Sequence, residues 1–98
     1  MARLLYEVKE KMNELANYQE MCVFSYSTTH LSKTDKIRFF YALNGRPGEK
    51  GIIHHTRTTR LGRAVLLVKK ERAEQIKEFL IYWGCEYILR DLLVESKD

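Results

Sequence analysis

Asn44-Gly-Arg-Pro-Gly-Glu-Lys-Gly-Ile-Ile-His-His-Thr-Arg-Thr-Thr-Arg-Leu-Gly-Arg63 is the stretch on which the reading of this chain turns. It holds four of the five glycines and the only proline. It also holds five cations, Arg46, Lys50, Arg57, Arg60 and Arg63, against one acid, Glu49. Apolar runs bracket it at residues 37–43 and 64–68. Asn-Gly and Pro-Gly are turn dipeptides, because glycine accepts positive φ and proline presets its own φ. The pattern therefore predicts two strands that deliver a turn-rich basic arm, residues 44–63, to the surface.

Charge is unevenly spread. The 98 residues carry a net +4, but residues 36–70 hold nine Lys/Arg against one Asp/Glu, a net of +8. The preceding residues sum to −1 and the following ones to −3. A segment of one sign between nearly balanced flanks makes a local field that attracts polyanions. Arginine outnumbers lysine in the arm, and its planar fork matches phosphate. The expected partner is a nucleic acid, RNA or DNA, whose phosphate backbone meets Arg38, Arg46, Lys50, Arg57, Arg60 and Arg63, with Lys36, Lys69 and Lys70 adding to the field. Arg57, Arg60 and Arg63 recur every third residue, with threonine hydroxyls between them. In a strand that spacing splays neighbours to opposite faces, so they converge only where the segment is irregular or helical. Phe40 and Tyr26 are the rings expected on an outer face, where single-stranded bases stack.

Working outward, residues 2–18 read as an amphipathic helix, with Leu4, Leu5, Val8, Met12 and Leu15 at helical spacing. Residues 21–29 read as a strand on which Cys22, Phe24 and Tyr26 alternate with smaller or polar residues. Residues 30–35 read as a loop and residues 36–43 as a second strand, with Ile37, Phe39, Tyr41 and Leu43 on one face. Residues 52–58 read as the returning strand and 58–63 as a polar connection. Residues 64–68 read as a central strand covered on both faces. Residues 71–83 read as a helix with Ala73, Ile76, Phe79, Leu80 and Trp83 as its apolar stripe and Gly84 as its C′ residue. Residues 87–95 read as a last strand. The sum is one α+β domain over residues 1–98: a mostly antiparallel sheet of four to five strands with two helices on one face, in the order α-β-β-β-β-α-β.

Recognisable catalytic patterns are absent. The chain has no phosphate-binding Gly-rich loop, no dinucleotide fingerprint and no nucleophile elbow. Cys22 and Cys85 are isolated from one another and from any Cys-x-x-Cys pair, which fits buried thiols in a reducing compartment. His54 and His55 are adjacent, so on a strand they face opposite ways, and no metal site and no cofactor is expected. His54-x-Thr56 resembles one half of the paired His-x-Thr signature of cyclic-phosphodiester hydrolases, and the second half is missing. A small phosphoester-cleaving enzyme that uses His54 or His55 as base is thus a minor alternative. A protein-interaction module or homodimeric subunit is the larger one. No apolar run reaches membrane-spanning length and the first residues lack a signal-peptide layout, so a cytoplasmic protein with no membrane partner is expected.

The order of elements over residues 3–83, ending in a helix that opens on Lys69-Lys70-Glu71-Arg72-Ala73, is similar to that of double-stranded-RNA-binding domains. The extra strand, the final strand and the lack of a Gly-Pro-x-His loop depart from that order.

Overall fold

A computed structural model describes residues 18–95. The helix expected over residues 2–18 lies outside them except at Tyr18, which opens a strand. Numbered within the described residues, the elements are β1 (Tyr18–Tyr26), α1 (Lys33–Asn44), β2 (Gly45–Arg46), β3 (Glu49–Lys50), α2 (Ile52–His55), β4 (Thr59–Gly62), β5 (Val65–Lys69), a 3-10 turn (Lys70–Arg72), α3 (Ala73–Tyr82) and β6 (Tyr87–Glu95).

Four strands form one antiparallel sheet in the order β4-β5-β1-β6, and β2 with β3 forms a separate two-stranded ribbon. β5 and β6 both run antiparallel to β1, so they are parallel to each other with β1 between them, joined by α3. By the same logic β1 and β4 are parallel across β5. Two interlocked crossovers that each skip one strand make the split β-α-β-β-α-β arrangement, also called ferredoxin-like. That topology hosts many activities and assigns none.

The expected class is present: an antiparallel sheet with helices on one face. Cys22, Phe24 and Tyr26 of β1 and Leu66 and Val68 of β5 are buried together with Phe39 and Leu43 of α1 and Ala73, Ile76 and Leu80 of α3. Leu66 and Val68 of β5 are fully buried, and Val65 and Leu67, on the other face of the strand expected to be covered on both, are half-buried. The last strand spans Tyr87–Glu95 as expected, and Gly84 follows α3 with φ of +67°. There Cys85 N–H donates to the Leu80 carbonyl at 2.9 Å, the bond of a Schellman stop.

The order differs from expectation at three places. Residues 36–43 are helix, not strand. Ser32 caps that helix: its hydroxyl accepts from the Asp35 N–H at 3.1 Å, and Asp35 sits in the positive first turn. Phe39 and Leu43, four residues apart, take the buried side, while Ile37 and Tyr41 are exposed. Residues 52–55 are a single helical turn instead of a returning strand. The connection expected at 58–63 contains strand β4, kinked by a β-bulge between Arg60 and Gly62. The helix at 33–44 also removes the likeness in element order to double-stranded-RNA-binding domains.

Helix and strand make opposite demands on Ile37 and Phe39. Phe39→Ala is expected to cost about 3–5 kcal/mol in urea unfolding, because its ring is buried. Ile37→Ala is expected to stay within about 0.5 kcal/mol. Comparable losses at both positions would fit a strand and contradict the helix.

Candidate nucleic-acid interface

The hairpin after α1 fixes where the arm leaves the core. Gly45, at φ of +87°, donates its N–H to the Tyr41 carbonyl and ends the helix. Gly45 then pairs with Lys50 and Arg46 with Glu49, around a Pro47-Gly48 turn in which Gly48 has φ of +87°. The ribbon returns so closely that a Cβ on Gly51 would collide with the Leu43 carbonyl and the Gly45 nitrogen.

From Gly51 the chain makes the turn of α2 and stops at a Schellman motif. Thr58 N–H donates to the Ile53 carbonyl at 2.8 Å and Arg57 N–H to the His54 carbonyl at 3.4 Å. The C′ position, where glycine is favoured, is held by Arg57 at φ of +54°. Below it two buried hydroxyls satisfy each other. Thr56 Oγ1 donates to the Ile52 carbonyl at 2.7 Å and lies 2.7 Å from Thr58 Oγ1, which leaves Thr58 as donor to Thr56.

β4 carries Arg60 back across the molecule. Arg60 is in register with Leu66, so its side chain stands on the helix-bearing face. There its Nη1 donates to Asn44 Oδ1 at 2.9 Å and its Nη2 to the Arg63 carbonyl at 3.1 Å. Asn44 is itself oriented, since its Nδ2 donates to the Phe40 carbonyl at 3.1 Å. Both acceptors on Arg60 are neutral, so its orientation is fixed while no acid among the described residues pairs with it.

Arg60 and Arg63 line a cleft of about 460 Å³ together with Lys36 and Asn44 of α1 and the hydroxyl-bearing run Ser27-Thr28-Thr29. Phe39, Phe40, Leu43, Tyr26 and Ala64 complete it, and no carboxylate is among the described residues that line it. Ser27 Oγ and Thr29 Oγ1 lie 3.0 Å apart. Burial pushes the Tyr26 phenol above its ordinary range, and the Arg60 guanidinium pulls the other way. Converging cations, hydroxyl donors and a phenol suit an anion with several oxygens.

Arg38, Arg46 and Lys50 line a second cleft of about 320 Å³, with Tyr41, Ala42 and the acid Glu49. Arg46 Nε lies 3.5 Å from Glu49 Oε2 and Arg38 Nη1 lies 3.9 Å from Asp35 Oδ1. All four side chains are largely exposed, so each pair is worth about 0–1 kcal/mol and yields to a stronger anion. Residues 36, 39, 40, 43 and 44 border the first cleft and 38, 41 and 42 the second. At about 100° per residue these sets take opposite sides of α1.

The arm's cations thus gather at two spots rather than one. Arg57 lines neither cleft. Lys70 lies at the far end of β5, with Nζ 4.0 Å from Glu20 Oε2. Lys36, expected only to contribute to the field, is a cleft residue. Ser27, Thr28, Thr29 and Asn44 carry no signal in the sequence that marks them as part of the site. Tyr26, expected on an outer face, is buried, whereas Phe40 is exposed. His54 and His55 are exposed on α2 and line neither cleft; the His55 carbonyl accepts from Arg72 Nη1 at 3.2 Å. Both cysteines are buried and free, and burial raises both thiols above their usual 9.0. At Cys22 a hydrogen bond from Sγ to Asp91 Oδ1, 3.3 Å, adds to that shift.

Comparison of the chain with protein-family models, with curated proteins and with solved structures finds no match.

Arg57 is the one non-glycine residue with positive φ among the described residues. Arg57→Gly is therefore expected to raise stability by about 0.5–1 kcal/mol, by relieving the left-handed conformation. A lowered melting midpoint would show that the Arg57 side chain holds the turn together.

Proposed function

We propose that this domain binds the phosphate backbone of a nucleic acid, with Arg60, Arg63 and Lys36 forming the principal contact and Arg38, Arg46 and Lys50 a second one across α1. The observation that carries this reading is the first cleft. Its guanidinium groups are unpaired with any acid among the described residues, one is aimed by neutral acceptors, and three hydroxyl residues stand beside them. Contacts of this kind position a backbone without reading bases, so sequence preference is weak. Phosphate neutralisation releases counterions, so affinity falls steeply with salt. Two free, buried cysteines are compatible with a reducing, cytoplasmic setting. Among the described residues no helix is long and apolar enough to cross a membrane.

A salt titration of binding to single- and double-stranded DNA and RNA tests this. The Arg60→Ala/Arg63→Ala variant is expected to bind more weakly on every sequence. Its slope of log K against log salt should fall by about one for each phosphate no longer neutralised. Binding that ignores salt, or that survives removal of both guanidinium groups with the same slope, overturns the reading.

A protein-interaction role is the second reading, favoured by β6. Among the described residues that strand forms the sheet edge over nine residues and exposes Ile88, Leu89 and Leu93, and apolar edges of this kind invite pairing with another chain. Sedimentation velocity at two concentrations separates it: a concentration-dependent dimer supports a homodimeric subunit, and a monomer at both removes that form of the reading.

A further inference from the structure

α1 carries an exposed ridge that its packing does not use. Phe39 and Leu43 are buried, yet Ile37 and Phe40 are each 52% exposed and Tyr41 is 43% exposed. Isolated exposed apolar residues are ordinary on any surface. These three are contiguous, and they lie between the two cationic clefts. Phe40 belongs to the lining of the first cleft and Tyr41 to that of the second. The two rings are 6.0 Å apart at 71°, and the Arg46 guanidinium carbon is 5.7 Å from the Tyr41 ring centroid.

A duplex has little to offer such a ridge. Its bases are stacked inside, and its outer surface is phosphate, which gains nothing from an aromatic edge. A single strand has both parts: charged phosphates for the flanking clefts and unstacked bases for the rings between them. Rings set among cations are the recurring arrangement for single-strand binding, because every base has a π-face. We propose that the partner is a single-stranded nucleic acid that crosses α1, with phosphates held in the Lys36–Arg60–Arg63 cleft and beside Arg38, Arg46 and Lys50, and with bases stacked on Phe40 and Tyr41. This rests on the backbone-binding reading above and adds strandedness to it. Stacking tolerates any base, so the weak sequence preference of that reading is unchanged.

The test uses three fluorescent probes of one length: a single strand, its duplex, and an abasic strand with the same phosphates. Wild type, Phe40→Ala, Tyr41→Ala and Phe40→Trp are compared by anisotropy, with melting midpoints confirming that each variant is folded. Wild type is expected to bind the single strand more tightly than either other probe. Each alanine variant is expected to bind the single strand roughly five-fold or more weakly, the scale of one base stacked on one ring. The same variants should keep the wild-type salt slope and lose clearly less affinity for the duplex and abasic probes than for the single strand, and Phe40→Trp should retain single-strand binding. The inference is overturned if the abasic probe binds as well as the single strand, or if the alanine variants change all three affinities alike or none. Should none of the three probes bind in a salt-dependent way, the backbone reading falls with it; salt-dependent binding without single-strand preference removes only this inference.

Discussion

The packing of the Phe39 ring governs where everything else on α1 points. Its centroid lies 5.6 Å from Tyr26 on β1, 5.4 Å from Phe79 and 5.6 Å from Trp83 at the end of α3, so one side chain joins the sheet to both longer helices. Such aromatic contacts contribute about 0.5–1.5 kcal/mol each beyond burial of area. With Leu43 one turn further on, Phe39 sets the rotation of α1 about its axis. Rotation in turn decides that Lys36, Phe40 and Asn44 border the cleft that holds Arg60, and that Arg38 and Tyr41 look the other way. A helix turned by one residue would carry the same sequence but take Lys36 and Asn44 away from Arg60.

Two further constraints finish the surface. Gly45 and Gly51 let the β2–β3 ribbon close against the end of α1, so Arg46 and Lys50 stay near Arg38 instead of following the chain outward. The hydroxyl pair Thr56–Thr58 and the left-handed Arg57 then reverse the chain into β4, which returns Arg60 to Asn44. Six of the nine cations within residues 36–70 thereby form a set divided across a helix. Its two halves differ in how free they are. The Arg38 and Arg46 side chains lean on exposed carboxylates, whereas Arg60 leans on an amide and a carbonyl and has no acid partner among the described residues.

Where burial follows a clean period, the sequence was legible. Cys22, Phe24 and Tyr26 alternate and form the buried side of β1, and the stripe of α3 appears with its glycine stop. Residues 36–43 mislead because Ile37, Phe39, Tyr41 and Leu43 alternate while Phe39 and Leu43 also fit a helix, so apolar spacing alone leaves both open. The deciding local signal is Ser32-x-x-Asp35, a capping pattern that outweighs alternation. The short turn at Ile52–His55 has too few residues to show any period, and β4 is a four-residue edge strand of Thr, Arg, Leu and Gly. For the site, charge clustering could be read directly. Which cations converge could not, because that depends on the rotation of α1, and an element assigned as strand has no such rotation to consider.

The central claim is that α1 and β4 together build a phosphate-binding cleft, and amide shift mapping during titration with a short single-stranded oligonucleotide tests it most directly. The shifts are expected to concentrate on Ser27, Thr28, Thr29, Lys36, Phe40, Arg60 and Arg63, with a second set at Arg38, Tyr41, Arg46 and Lys50, and both to fade as salt is added. Shifts confined to β6, or absent at Arg60 and Lys36 while binding persists, would contradict it.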